Sequence, residues 1–86
     1  MTAYRSSGGV LAPLETVRSI SQPILYFDED RLNRFVELMK ENHEFPPIQV
    51  QELKGGYYRV MDGHHRFVAS QRCSFTQIPI ETIPKL

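Results

Sequence analysis

The sequence of 86 residues has a single cysteine, no net formal charge, and no apolar run near the roughly 20 residues that a bilayer-spanning helix needs. One cysteine excludes an intrachain disulfide framework and favours a reducing compartment. Equal numbers of basic and acidic residues argue against a protein that binds nucleic acid through its overall charge. The N-terminus lacks the basic-then-apolar pattern of a secretory signal. We therefore expect a cytoplasmic protein that does not enter a membrane.

Motifs for metal sites and for serine hydrolases are also missing. The sequence contains no His-x-x-x-His, Glu-x-x-His or Cys-x-x-Cys pattern, and the adjacent His64 and His65 would diverge on a helix. We therefore expect no protein-held metal. The serine-nucleophile motif is absent as well, which leaves hydrolysis by a catalytic triad without support.

Length and composition indicate one small domain with a modest core. Residues 1–9 are polar and include Ser6-Ser7-Gly8-Gly9, which predicts a flexible tail ahead of a domain that spans residues 10–86. The first apolar segment, Val10 to Leu14, predicts a strand. Pro13 has no N–H to donate, so we expect either a strand at the edge of a sheet or a strand that is followed by a turn.

A long helix is predicted next. Asp28 is a suitable N-cap, and acidic residues follow it in the first turn, where the helix dipole favours them. The apolar residues Leu32, Phe35, Val36 and Met39 recur with helical spacing. The helix should end near His43, ahead of two prolines.

The second half of the chain alternates strand and helix signals. We predict a strand at Ile48–Gln51, a hairpin turn at Lys54–Gly56 and a return strand at Tyr57–Met61. A helix over His64–Arg72 and a last strand over Ile78–Ile83 follow, and Pro79 indicates that the last strand lies at an edge or is irregular. This mixture of elements predicts an α+β fold.

The residues that join the return strand to the second helix, Asp62 to Arg66, form a segment that we call the cradle. A helix start offers unpaired N–H groups and a partial positive charge, and Gly63 lets the backbone approach a ligand closely. Arg66 adds a forked cation that suits phosphate, and the two histidines titrate near neutral pH. The cradle therefore predicts phosphate binding with acid–base capacity. Asp62 is a natural N-cap or Asx-turn residue for this helix. The alternative is that Asp62 and Gly63 merely make a turn and that the histidines are solvated.

The distribution of charge supports an anion at the cradle. Acidic residues outnumber basic ones between Asp28 and Glu44, whereas arginines outnumber the one aspartate between Tyr57 and Cys73. The positive part of the chain thus coincides with the cradle. Cys73, at the end of the second helix, is expected to be a small buried hydrophobe.

The order of these elements resembles that of the ParB/sulfiredoxin superfamily. The segments that carry the resemblance are Phe45-Pro46-Pro47-Ile48-Gln49-Val50, Asp62-Gly63-His64-His65-Arg66-Phe67-Val68-Ala69 and Gln77-Ile78-Pro79-Ile80. The resemblance extends over roughly Leu11 to Ile83. It implies a single domain in which a mixed sheet packs against the long helix and the short helix that follows the Asp-Gly-His-His-Arg turn.

The resemblance also implies roles for the cradle residues. Sulfiredoxins bind ATP phosphates with a Gly-Cys-His-Arg turn, on which Gly63, His65 and Arg66 match the phosphate-binding positions. His64 stands where the catalytic cysteine should be, and an imidazole cannot form the required sulfur–sulfur intermediate. The family's other phosphate-binding arginine would fall near Ser21. Arg31 or Arg34 of the long helix would partly replace it.

The leading hypothesis is a sulfiredoxin-like domain that binds ATP, ADP or another nucleotide with Mg²⁺ and transfers or hydrolyses the terminal phosphate. In it, Gly63, His65, Arg66, Arg31 and Arg34 bind the nucleotide, while His64, His65 and Asp62 provide acid–base chemistry. Sulfinic-acid reduction is not expected. One alternative is a DNA-binding or nuclease module of the ParB type, and another is a non-catalytic domain that binds a protein partner. A homodimer could form through the segment 24–27 or the proline-rich edge.

Overall fold

The computed structural model describes residues 2–19 and 28–84. Seven strands and two α-helices occur there: β1 (Arg5–Ser6), β2 (Val10–Pro13), β3 (Val17–Arg18), α1 (Glu29–Lys40), β4 (Glu44–Phe45), β5 (Ile48–Leu53), β6 (Tyr57–Asp62), α2 (His64–Arg72) and β7 (Gln77–Thr82). A short 3-10 helix, Leu14–Thr16, joins β2 to β3. Within these ranges, neither α1 nor α2 has the length and hydropathy that crossing a bilayer would require. The segment 24–27, considered above for a dimer, lies outside the described residues.

The predicted α+β fold with a mixed sheet is confirmed. Five strands form one sheet in the order β2-β7-β5-β6-β3. The β2–β7 and β5–β6 pairs are antiparallel, while the β5–β7 and β3–β6 pairs are parallel. Strands β1 and β4 form a separate parallel pair. The predicted hairpin joins β5 to β6, and its Gly55 and Gly56 both have positive φ.

Helix α1 begins as predicted and ends earlier. The Asp28 carboxylate caps it by accepting the N–H groups of Asp30 and Arg31 at 3.0 and 3.2 Å. Regular helix stops at Lys40 instead of continuing to His43, because Asn42 adopts a left-handed conformation with φ 63°. The same turn carries the chain back into β4.

The core lies between the sheet and the two helices. Buried residues alternate along β5, as expected when one face of a strand is buried, whereas the inner strand β7 has three consecutive buried residues. The fully buried side chains of the core with the largest volumes are Leu32 and Met39 from α1, Ile48 and Val50 from β5, Val60 from β6, and Ile78 and Pro79 from β7. Helix α2 contributes Phe67 and Ala69. The site at the start of α2 is therefore attached to the core through Phe67 and Ala69.

Two expectations differ from the structure. Residues 2–9, expected in a flexible tail, include β1 and the buried Tyr4, because β4 supplies a pairing edge that the sequence pattern did not reveal. Pro79 does not mark an edge strand, since β7 lies between β2 and β5 and Pro79 pairs with Leu11. The edge position predicted for the strand that contains Pro13 is confirmed.

Candidate functional site

Gly63 makes the abrupt passage from β6 into α2. Its φ of +102° lies in the left-handed region, which glycine enters at little cost. A Cβ atom at this position would come within 2.7 Å of Ile48 Cγ2 and 2.8 Å of Arg66 Nη2. Only glycine therefore permits both this turn and the close approach of the Arg66 side chain.

The first hydrogen bond of α2 runs from the Phe67 N–H to the Gly63 carbonyl, at 2.9 Å. The N–H groups of the three preceding residues have no carbonyl one helical turn behind them, and they carry the positive end of the helix dipole. Asp62 does not cap this helix. Gly63 is the N-cap, without a side-chain hydrogen bond, and Asp62 is the last residue of β6.

Arg66 is held beneath this turn and is mostly buried, with 14% of its side chain exposed. Its Nη1 donates to the Pro46 carbonyl at 3.1 Å, and its Nη2 lies 3.8 Å from the Asp62 carboxylate, which is 73% exposed. The Tyr4 hydroxyl donates to the same Pro46 carbonyl at 2.7 Å. A guanidinium has five N–H donors, so Arg66 retains capacity to bind an anion.

His65 links the cradle to the start of α1. Its Nε2 accepts the backbone N–H of Asp28 at 3.3 Å, and its ring meets Phe35 edge-on with centroids 6.3 Å apart. Burial is the main reason that the pKa of His65 lies below its ordinary value, and the nearby Arg31 cation lowers the pKa further, against the opposing Asp28 carboxylate. A neutral imidazole is required for Nε2 to accept this hydrogen bond.

His64 presents an unsatisfied polar atom. Its Nε2 is shielded from solvent and has no hydrogen-bond partner in the described part of the chain. Buried polar atoms usually have a partner, because leaving one without a hydrogen bond costs about 1–3 kcal/mol. His64 therefore has an unused donor or acceptor at the first residue of α2.

The two arginines expected from α1 differ in position. The Arg31 guanidinium lies over the Phe35 ring, 5.4 Å from its centroid, and is close enough to His65 to lower its pKa. Arg34 is exposed one turn further along the helix. The structure thus brings Arg31 close to His65 of the cradle, whereas Arg34 is exposed on the surface of α1.

Arg72, one of the arginines that make the segment around the cradle positive in sequence, pairs with a carboxylate of α1. At the other end of α2, Arg72 makes two hydrogen bonds to the Glu29 carboxylate, at 3.2 and 3.3 Å, and a longer one to Asn33. Cys73 follows, half-buried beside the core, with its thiol 3.9 Å from the Val36 carbonyl. Burial raises the pKa of this thiol, so it stays protonated.

Sequence reasoning missed three contributors to this site: Tyr4, the Pro46 carbonyl and the Asp28 N–H. The Pro46 carbonyl and the Asp28 N–H are backbone groups, so no pattern of side chains in the sequence could reveal them. Tyr4 gave a usable signal, because a lone aromatic residue in a polar segment indicates local burial.

The fold and the cradle together identify the class of protein. The model of the ParB N-terminal domain family matches residues 4–83. The chain belongs to this family, and the resemblance to the ParB/sulfiredoxin superfamily is confirmed. Chromosome-partitioning protein ParB of Myxococcus xanthus (strain DK1622) is 34% identical over 74 residues, which make up 85% of this chain and 25% of that protein.

Solved structures show the same fold. The C-terminally truncated ParB from Caulobacter crescentus, complexed with CTP-γ-S, matches with a TM-score of 0.77 and 26% identity over 93% of this chain and 46% of that chain. Sulfiredoxin from Arabidopsis thaliana matches with a TM-score of 0.73 and 23% identity over 88% of this chain and 84% of its own. A free serine kinase in complex with AMP matches with a TM-score of 0.72 and 19% identity over 95% of this chain and 33% of that chain. The last two likenesses show the fold alone.

These relatives are longer than the chain. The chain spans about a quarter of the Myxococcus ParB and under half of the Caulobacter ParB structure. What it shares with them is therefore one domain.

Proposed function

We propose that this domain binds a nucleotide through its phosphates at the cradle, with Mg²⁺ carried by the nucleotide. The observation that carries the proposal is the close approach of Arg66 to Gly63: a Cβ atom at Gly63 would lie only 2.8 Å from Arg66 Nη2. This approach brings a guanidinium nitrogen close to the residue from which α2 begins. Phosphate is the anion that such a pairing of helix start and forked cation suits best.

The surrounding residues complete a site of limited positive charge. Arg66 already makes one hydrogen bond to Pro46, and His65 is held neutral by burial and by Arg31. Arg31 adds a second cation from α1, beside His65, and Arg34 is an exposed cation on the same helix. We therefore expect binding to depend on Mg²⁺, because the ion neutralises phosphate charge that these side chains leave uncompensated.

The nucleotide-bound relatives support the same proposal. The Caulobacter ParB structure contains CTP-γ-S, and the serine kinase structures contain AMP or ADP. Because the ParB likeness has the higher sequence identity, CTP is the first nucleotide to test. ATP and ADP, implied by the sulfiredoxin resemblance, come next.

The cradle also has groups for hydrolysis or transfer of a terminal phosphate. His64 has an unsatisfied ring nitrogen, and the exposed Asp62 carboxylate is available to a water molecule. Either would act as the base or position the attacking nucleophile. Sulfinic-acid reduction is not proposed, since the only cysteine of the chain lies at the opposite end of α2.

Isothermal titration calorimetry tests the binding. CTP, ATP and ADP with Mg²⁺ are added to the wild-type protein, to Arg66→Met and to Arg72→Met. The second variant is the matched control, because it removes an arginine from the same helix but away from the cradle. We expect Arg66→Met to weaken binding at least tenfold, as loss of a charge-assisted hydrogen bond predicts, and Arg72→Met to change it less than twofold.

Either of two results would contradict the proposal: no heat with any nucleotide at millimolar concentration, or equal weakening by both variants. Release of inorganic phosphate from the bound triphosphate separates hydrolysis from binding. We expect His64→Gln to reduce the rate of release while nucleotide affinity changes little, if His64 is the base.

A further inference from the structure

The N-terminal segment is fixed on both sides of Tyr4. The Thr2 carbonyl accepts the N–H groups of Thr76 and Gln77 at 3.0 and 2.8 Å, and the Ser7 N–H donates to the Phe45 carbonyl at 3.1 Å. Between these anchors β1 pairs with β4. The segment is thus held against the start of β7 at one end and against β4 at the other.

Tyr4 is the buried residue of this segment. Only 3% of its surface is exposed, and its ring packs edge-on against Phe45, with centroids 5.9 Å apart. Burial raises the pKa of Tyr4 to about 12, although the positive charge of Arg66 lowers it in part. The hydroxyl therefore remains protonated at neutral pH and remains a hydrogen-bond donor.

One carbonyl oxygen joins Tyr4 to the cradle. Pro46 accepts the Tyr4 hydroxyl at 2.7 Å and Arg66 Nη1 at 3.1 Å, and a carbonyl oxygen has two lone pairs for two donors. Tyr4 is buried, so this short contact comes from a hydroxyl that is shielded from water. The same oxygen fixes Nη1 of the guanidinium, while Nη2 makes only a longer, 3.8 Å contact with the Asp62 carboxylate and keeps capacity to meet an anion.

We propose that Tyr4 is a positioning residue for the cradle: through the Pro46 carbonyl it holds Arg66 in the orientation that binds phosphate. This inference rests on the proposed nucleotide binding. Tyr4 itself touches no phosphate. Its contribution is preorganisation, which lowers the entropy lost when Arg66 becomes ordered around a ligand.

Tyr4→Phe tests the inference, because it removes the hydroxyl and keeps the ring that packs on Phe45. Tyr58→Phe is the matched control, since Tyr58 also packs against the core and its hydroxyl makes no hydrogen bond to the described residues. We expect Tyr4→Phe to raise the Kd for the nucleotide about three- to tenfold, the usual effect of one hydrogen bond. Tyr58→Phe should change it less than twofold.

A purely structural role would give a different pattern. If Tyr4 acts through Arg66, Tyr4→Phe should have no further effect in an Arg66→Met background, where residual binding is followed by the NMR shift of the Gly63 amide at millimolar nucleotide. An equal loss in both backgrounds, or an unchanged Kd in the single variant, would overturn the inference.

A ligand-free measurement keeps this inference separate from the proposed function. In wild-type protein, the Arg66 Nη protons should exchange with solvent at least tenfold more slowly than those of the exposed Arg34, and Tyr4→Phe should accelerate them. If they exchange at the rate of Arg34, the Tyr4–Pro46–Arg66 link is wrong, whether or not a nucleotide binds. If the link is present and no nucleotide binds, the proposed function fails instead.

Discussion

The two ends of α2 each carry an arginine, and the two arginines are used in opposite ways. Arg72 faces a carboxylate of α1 and makes two hydrogen bonds to it. Arg66 is more deeply buried, yet its partners are a backbone carbonyl and a carboxylate 3.8 Å away. One end of the helix is therefore closed by a satisfied ion pair, while the other retains N–H groups and a cation with unused donors. A helix anchored at its C-terminal end can leave its N-terminal end available to a ligand.

The largest expected loss of stability is at the N-terminal end of α2. Gly63→Ala should destabilise the domain by about 2–5 kcal/mol, since a left-handed alanine costs about 1–2 kcal/mol and an overpacked site about 1–3 kcal/mol. Urea unfolding at 25 °C measures this loss.

Gly56→Ala is the matched control for that variant. Gly56 also has positive φ, at +83°, but a Cβ there would meet nothing within 4 Å. Gly56→Ala should therefore lower the free energy of unfolding by about 1–2 kcal/mol, which is the cost of the left-handed conformation alone. Equal losses in the two variants would show that Ile48 and Arg66 do not crowd Gly63.

A smaller loss of stability is expected at the C-terminal end of α2. Arg72→Met should reduce the free energy of unfolding by about 0.5–1 kcal/mol, because the ion pair with Glu29 is well aligned but partly exposed and screened by solvent. Chemical denaturation of Arg72→Met, Glu29→Gln and the double variant gives the coupling between the two residues. A coupling of zero would mean that this ion pair does not anchor α2.

The smallest effect is a pH dependence at His65. Its folded pKa is lowered, so between that value and the ordinary pKa near 6.5 the unfolded state binds more protons. Stability should therefore rise with pH across this window and fall as the pH drops below about 6.5. Protonation would also remove the acceptor for the Asp28 N–H.

Thermal unfolding at pH 5.5 and 7.5 checks this sign. His65→Gln should lose part of the difference between the two pH values. His43→Gln, at an exposed histidine near Glu41, should retain all of it. The interpretation fails if the His43 variant loses the pH dependence and the His65 variant keeps it.

Much of the fold followed from local patterns. The Asp28 cap, the Gly-Gly hairpin and the bounds of α2 were predicted because each depends on residues close together in sequence. The position of β7 was not predicted, since it depends on distant pairing, and the end of α1 was placed too late because the left-handed turn at Asn42 was not foreseen. Pro79 lies in an inner strand of the sheet. The order of the strands is a property of the whole fold, and no local sequence pattern reveals it.

The candidate site divides in the same way. Gly63, His65 and Arg66 were recognised from their spacing, and the structure brings them together at the start of α2. Asp62 was given the wrong local role, since the turn is closed by the conformation of Gly63 and not by a side-chain cap.

The sequence by itself determined the α+β class and the position of the cradle, because periodicity and turn chemistry act over a few residues, and three of its segments carried the family resemblance. Only the tertiary structure decided that Tyr4 is buried, that the Pro46 carbonyl holds Arg66, and that Glu29 neutralises Arg72. These contacts join residues 20 to 43 positions apart. Their energies arise when packing removes the groups from water, and that burial is a property of the whole fold.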